Sequence, residues 1–418
     1  MTPQGPRPDI SVIIPTHNRP ASLLRLLHAL REGSFPATRF EVVVVADGCT
    51  DDTATIVRHI PFPFPVEVLE QNPGRGAGAA RNLGATHASG ELLVFLDDDI
   101  EPLPTLLAEH HRAHDEAGDS AVAIGPPLPV RAPDSNLGTI EAWAWWEGQL
   151  ARMSTPGHRF SFEEVFSGDL SIPAELFRAV GGFDVTFNCR EDSELGLRLI
   201  KRGTRVLFVP AAGGWHHELR DHRRLIRRKR AEGEADVRLA RLHPEVWPAL
   251  LLAWPDKPLW NSLGILRRAA LTVPWIAEVM IRGLAATLPL LEWLRFRGIW
   301  RKAQAGVMFG WYWLGVRDGV GSRGGLQALE QKCESPILPS ADLFAIDLDS
   351  GLDKAAQLVE QTRPTAIRVR FGPLEVGTLA AKPGAEPFRG EHLRPALAEE
   401  LPEALLAAMT TSAAAGNP

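Results

Sequence analysis

The first hundred residues alternate β-branched runs with helix-patterned segments, and this alternation constrains the fold more than any other feature. "DISVIIP" (9–15) and "FEVVVVADG" (40–48) are short apolar runs that stop at turn residues, as buried parallel strands do. Between them, "RPASLLRLLHALREG" (19–33) has apolar residues at helical spacing and a glycine stop. "TDDTATIVRHI" (50–60) predicts a second helix with Thr50 as N-cap, "PVEVLEQN" (65–72) a third strand, "GRGAGAARNLGATHASG" (74–90) a small-residue helix, and "ELLVFLDDD" (91–99) a fourth strand. Such alternation predicts an α/β fold built on an open, doubly wound sheet. Ligands on these sheets gather beyond the carboxyl ends of the strands, where Asp47 and Asp97–Asp99 fall.

Three adjacent aspartates at the end of an apolar strand need explaining, because desolvated like charges repel. The nearest basic residues in sequence are Arg81 and Arg112, so the compensating charge is a bound cation or a distant arginine. One aspartate suffices for a helix cap, and Asp99 stands where it could cap "EPLPTLLAEHHRAH". The sharper reading is a Mg²⁺ or Mn²⁺ site, since these ions are usually held by one or two carboxylates plus substrate phosphates. A metal–diphosphate complex would then supply the missing charge.

Six blocks occur in order: "SVIIPTHNRP", "VVVVADGCTDD", "NPGRGAGAARNLGA", "GELLVFLDDDIEP", "GDLSIPAELFRAVGGFD" and "REDSELGLRLIKRG". Together they resemble the family 2 glycosyltransferases of GT-A fold, over about residues 9–220, roughly half the chain. The resemblance implies a doubly wound mixed sheet and inverting, metal-dependent transfer from a nucleotide sugar to a hydroxyl acceptor. By the same resemblance, Pro15, Thr16 and Asn18 line the nucleotide pocket and Asp47 reads a pyrimidine base, favouring a UDP-sugar. Arg81 helps hold the nucleotide, Asp97 faces the ribose, Asp98 belongs to the donor site, and Asp99, with Asp97, binds the metal. His216 matches the third metal position, with His217 as the alternative, and Asp192 is the general base, with Glu191 second. One departure is Ala46, where the family usually carries a further acid. Acids at a helix start are also favourable in their own right, which is the plainer account of Glu191, Asp192 and Glu194.

Two rival classes fit the sequence less well. A sugar nucleotidyltransferase would want a glycine-rich phosphate loop after the first strand, and "PTHNRP" has no glycine. A nucleotide-sugar-binding protein without catalysis would be expected to lack the acids at 97, 99 and 192. A processive polysaccharide synthase is disfavoured because the chain has no Q-x-x-R-W block.

The rest of the chain changes texture. "RDHRRLIRRKR" (220–230) carries seven Lys/Arg in eleven residues, read as a solvated face, a diphosphate clamp or a lipid contact. A net charge of −6 gives no reason to expect nucleic acid. The following hundred residues hold eight of twelve tryptophans, and their apolar runs at 269–277, 283–291 and 303–316 are each too short to span a membrane. Glu278, Arg282 and Glu292 interrupt them, so surface association with a membrane is the expectation. Trp143 and Trp146 share a helical face, for core packing or for stacking on a saccharide or lipid-linked acceptor. Three scattered cysteines fit a reducing cytoplasm, and the N-terminus lacks the pattern of a signal peptide. The expected organisation is a catalytic domain at 1–235, a helical, membrane-associating region at 236–325 and a small α/β accessory domain at 340–410. Residues 318–340 are expected to be a linker, and "TTSAAAGNP" (410–418) to be a disordered tail.

Overall fold

The computed structural model describes residues 7–118, 120–131, 135–217, 222–253, 263–333 and 343–415. Strands β1 (Ile10–Thr16), β2 (Phe40–Asp47), β3 (Val66–Gln71) and β4 (Leu92–Leu96) pair in parallel, in the order β3-β2-β1-β4. The short β5 (Ile100–Pro102) follows. The main sheet continues through β6 (Ala121–Ile124), β8 (Asp169–Pro173) and β9 (Arg205–Phe208) to give β3-β2-β1-β4-β8-β6-β9. β8 runs antiparallel to both β4 and β6, so the sheet is mixed. Strands β7 (Pro127–Pro129) and β10 (Gly214–His216) join β5 in a small second sheet, with β5 and β10 antiparallel.

The central strands read as unbroken apolar runs because both faces are covered. Ile10, Val12, Ile14, Val42, Val44 and Val94 point toward helices α1 (Pro20–Arg31), α2 (Thr53–His59) and, later in the chain, Leu106 and Leu107 of α4 (Leu106–Ala117). The alternate residues Val43 and Val45 pack on Ala80 of α3 (Ala77–His87), while Ile13, Leu93 and Phe95 join the core beneath α6 (Ala174–Ala179) and α7 (Glu191–Lys201). Helices on both faces make this the doubly wound α/β sheet that the sequence predicts.

Two local expectations are corrected. Asp51, not Thr50, accepts from the Thr53 backbone N–H at 3.1 Å at the start of α2. Asp99 caps nothing, because α4 begins seven residues later, after β5.

Between β7 and β8 lies α5 (Leu137–Met153). After β10 come α8 (His222–Leu242), two 3₁₀ turns, α9 (Gly264–Thr272), α10 (Pro274–Trp293), α11 (Arg297–Val320) and α12 (Arg323–Cys333). Helix α8 is continuous through residue 235, so the boundary expected there falls inside a helix. The stretch expected to be a linker is helical up to Cys333, and its remainder lies outside the described residues. Helix α10 joins two of the apolar runs across Glu278 and Arg282, which pair one turn apart at 2.6 Å and offset each other's charge. It is therefore the one helix among the described residues long and apolar enough to cross a membrane, by length and composition alone.

The last segment forms β11 (Phe344–Asp347), α13 (Leu352–Thr362), β12 (Ile367–Phe371), β13 (Leu374–Leu379), α14 (Gly390–Glu400) and α15 (Pro402–Ala415), with sheet order β11-β12-β13. The expected disordered tail is helical through Ala415. This unit docks on the main sheet's flank by backbone hydrogen bonds. Phe162 N–H donates to the Gly384 carbonyl and Glu386 N–H to the Phe160 carbonyl, both at 2.9 Å, and the Arg159 guanidinium lies 3.9 Å from the Phe388 ring centre. Gly384 sits at φ +72°, and a Cβ there would stand 2.3 Å from the Phe162 ring, so this contact requires glycine.

Candidate active site

Strands β1, β2 and β4 end side by side, so their terminal residues share one rim of the sheet. The compensating charge for the aspartates proves to be arginine. Arg19, just after β1, donates from one nitrogen to Asp98 Oδ1 and Asp99 Oδ2, each at 2.9 Å. Thr16 Oγ1 donates to the other Asp98 oxygen at 2.7 Å. Burial, only partly offset by Arg19, pushes the Asp98 carboxyl up to about 6. Burial acts on Asp99 in the same direction, but His216 and Arg19 outweigh it and hold that carboxyl down at about 2. Of the two sources the sequence leaves open, a bound cation or a distant arginine, the described residues supply the arginine.

Arg81, only 3% exposed in α3, joins two acid groups. It donates to Asp97 Oδ1 at 2.6 Å and to Glu191 Oε1 at 3.1 Å, and its guanidinium lies 5.4 Å from the Phe183 ring centre. The acids after β4 and the acidic start of α7 are therefore one arginine apart. Asp192 is half-buried beside Glu191, and its Oδ1 accepts from the Ser193 N–H at 2.7 Å. Burial first, then the neighbouring Glu191 charge, pushes Asp192 up to about 6.

Asp47 is committed to its own loop. Oδ1 accepts from Gln71 Nε2 at 2.8 Å and Arg75 N–H at 2.7 Å, and Oδ2 from Gly76 N–H at 2.8 Å. The turn after it brings Gly48, at φ +67°, against Gly74, where a Cβ would stand 2.9 Å from backbone. Asn18 adopts φ +53° and accepts from Thr50 N–H at 2.8 Å, tying the β1 and β2 ends together, with Pro15 three residues back in β1.

Pairing of β10 with β5 carries His216 to the aspartates. Its Nε2 lies 3.5 Å from Asp99 Oδ1, whereas His217 turns to Glu101 at 2.7 Å. Among the described residues no three His, Cys, Asp or Glu groups converge as a ready cage. Asp99 and His216 nonetheless offer a hard carboxylate and an imidazole side by side, and Asp97 is 38% exposed nearby. A carboxylate and an imidazole are donors that a divalent cation accepts, so these residues could hold one.

Within residues 11–158 the sequence matches the family described as glycosyl transferase family 2. Those residues are a family 2 glycosyltransferase domain. The chain is 30% identical over 321 residues to the pre-mycofactocin glycosyltransferase of Mycobacterium tuberculosis, covering 72% of this chain but only 64% of that protein's length. It is 29% identical over 293 residues to the validoxylamine A glucosyltransferase of Streptomyces hygroscopicus subsp. jinggangensis, covering 61% of this chain and 66% of that one. Among solved structures, a mannosyltransferase from Pyrobaculum calidifontis in complex with GDP-Man and Mn²⁺ aligns over 75% of this chain and 86% of that one, with TM-score 0.48 and 20% identity.

Glu191, Asp192 and His216 lie beyond the stretch matched to the family 2 domain, and the fold returns them to its rim. Behind them is a buried network that the sequence reading missed. Arg190, at φ +61° immediately before α7, places Nε 2.8 Å from Asp236 Oδ1 in α8 and a second nitrogen 3.0 Å from Glu163. Tyr312 in α11, the chain's one tyrosine, donates to Asp236 Oδ2 at 2.6 Å. Arg19 was also missed, although it is the single cation in "PTHNRP". A serine–histidine–aspartate series, Ser171–His110–Asp169 with contacts of 2.8 and 2.9 Å, resembles a nucleophile relay. All three are at most 2% exposed, so it ties β8 to α4 and meets no substrate.

The described part of the basic run is largely spent on intramolecular pairs, with Lys229 on Glu232 at 2.5 Å and Arg230 on Asp318 at 2.6 Å. Its start, Arg220 and Asp221, lies outside the described residues. Trp146 packs edge-on against Phe166 at 5.1 Å between ring centres, while Trp145 is 52% exposed.

Proposed function

We propose that this chain transfers a glycosyl group from a nucleotide sugar, with a UDP-sugar favoured, to the hydroxyl of a saccharide or lipid-linked acceptor, inverting the anomeric centre. The observation that carries this reading is the bridge made by Arg81, which holds Asp97 on the donor rim and Glu191 beside Asp192 in one cluster. In this reading Asp192 takes the acceptor proton as its oxygen attacks the anomeric carbon, from the face opposite the leaving diphosphate. Arg81 keeps the base and the donor acids at a fixed separation. Pro15, Thr16, Asn18 and Asp47 form the nucleoside side of the pocket, with Asp97 and Asp98 toward the ribose and phosphates.

Asp99 and His216 would hold Mn²⁺ or Mg²⁺, and the ion when bound would neutralise charge developing on the diphosphate. Arg19 then has a second role open to it, because its guanidinium can pair with phosphate once Asp99 is shared. The catalytic unit in this proposal is residues 1–235, supported from 236–325 through Asp236 and Tyr312, with 340–410 as an accessory unit. Three free cysteines support a reducing, cytoplasmic setting.

Donor and metal binding can be read without an acceptor. UDP with Mn²⁺ at ~100 times its Kd should stabilise the fold by about 2.7 kcal/mol, and EDTA or Asp99→Asn should remove most of the metal-dependent share. Equal stabilisation of the parent and Asp99→Asn by UDP–Mn²⁺ would take the metal away from this residue. UDP should also bind more tightly than GDP. Asp47→Ala should erase that preference, and should also loosen the loop that Asp47 holds through Gln71, Arg75 and Gly76. Calorimetry giving equal UDP and GDP affinities in the parent would end the pyrimidine assignment.

A further inference from the structure

Helix α10 turns one face inward and leaves the other bare. Ala277, Ile281 and Leu288 are buried, with Ile281 seated where a Cβ on Gly310 of α11 would stand 2.5 Å away. Outward, Trp275 is 68% exposed, Val279 63%, Leu290 56% and Trp293 76%. The apolar surface continues around the turn into α11 through Phe296 and Ile299, 51% and 58% exposed. Residues 293–302, "WLRFRGIWRK", interleave these side chains with four basic residues and contain no acid. The start of α5 abuts the same tip, where Leu137 N–H donates to Glu292 at 2.6 Å and Arg301 meets Glu141 at 2.6 Å.

We infer that this tip, together with the outward face of α10, beds into the headgroup layer of an anionic lipid bilayer. Tryptophans near both ends of an apolar stripe, and arginines among aromatics, are the composition of helices that lie in the interface. With Arg301 paired to Glu141, the remaining cations Arg295, Arg297 and Lys302 match a negatively charged surface, whereas a second copy of this chain seated on the same face would bring two such sets together. Crossing the bilayer is opposed by the inner face. α10 is packed on α11, and α11 is tied through Tyr312 and Asp236 to Arg190 beside the candidate base. Taking α10 across would strip that packing from the catalytic body, while lying flat costs none of it.

The inference deepens the proposed function, and on that reading alone it adds that the acceptor is carried in the same surface, as a lipid-linked hydroxyl. Helix α11, whose start forms part of this surface, also braces Arg190 through Tyr312 and Asp236, which ties the docking face to the body that carries the site.

The test is sedimentation of the full chain with vesicles of phosphatidylcholine, with and without about one third phosphatidylglycerol, at low and high salt. The protein should pellet with the anionic vesicles and be released substantially by salt. Arg295→Gln combined with Arg297→Gln should lower partitioning about thirtyfold, as expected for two cations removed from an anionic surface. Trp293→Ser with Phe296→Ser should reduce it at both salt concentrations. Thermal unfolding matching the parent would show that these exposed changes leave the fold intact. Equal binding to both vesicle types, no binding to either, or retention that only detergent reverses would each overturn the inference. So would a concentration-dependent dimer that Trp293→Ser dissolves, because the face would then belong to a second copy. No donor or turnover enters the assay, so its failure leaves the transferase reading standing.

Discussion

Asp192→Asn is expected to lower turnover by about 10²–10⁴-fold, the usual loss when a general base is removed. The amide keeps the carboxylate's shape and cannot accept the acceptor's proton. Donor affinity should hold, because Thr16, Asp47, Asp97 and Asp99 are untouched and Arg81 still has Asp97 and Glu191 as partners. The helix loses at most a few tenths of a kcal/mol of dipole stabilisation, too little to unfold a domain. Acidity gives a second reading of the same residue. Burial and Glu191 raise Asp192 to about 6, and only its ionised form can act as a base, so the rate should fall as pH drops through about 6 and level off above it. Asp98 titrates in the same range, so Asp98→Asn serves as the control that separates the two acids. Normal turnover by Asp192→Asn, or a product of retained anomeric configuration, would assign the base elsewhere.

Asp236→Asn should destabilise the protein by about 3 kcal/mol, near the lower end of what is seen when one partner of a buried ion pair is lost. Arg190, largely shielded from solvent, would keep Glu163 at 3.0 Å but lose its fully buried partner, while Tyr312 could still donate to the new amide oxygen. Tyr312→Phe should cost less, about 1–3 kcal/mol, because it leaves a buried acceptor short of one hydrogen bond. The two effects should not add, since both act on one network. Arg190 sits at φ +61° directly before Glu191 and Asp192, so loosening it lets the start of α7 shift. The expected kinetic signature is a lower kcat with little change in donor KM. Chemical denaturation with an unchanged midpoint for Asp236→Asn would mean that the pair contributes nothing to the fold.

Much of this protein could be read from sequence because its signals are local. The all-apolar "VVVV" of β2 marks a strand covered on both faces, and the acids at 47 and 97–99 had to emerge at one rim once the strands ran parallel. The start of α7 was equally legible, because acids preceding an amphipathic run favour a helix N-terminus. The identity of the countercharges was not. Arg19 and Asp98 are 79 residues apart, Arg81 and Glu191 are 110 apart, and Asp236 meets Tyr312 across 76. No periodicity records such pairings, since each depends on which helix lands on which face of the sheet. The continuity of α10 across its charges was hidden for a related reason. Glu278 and Arg282 count as two charges along the chain, but helical geometry places them one turn apart, where they cancel. Sequence thus determined the sheet, its rim and the chemistry gathered there, through propensity and burial. Tertiary packing decided which arginines balance that rim, and it left one face of α10 uncovered.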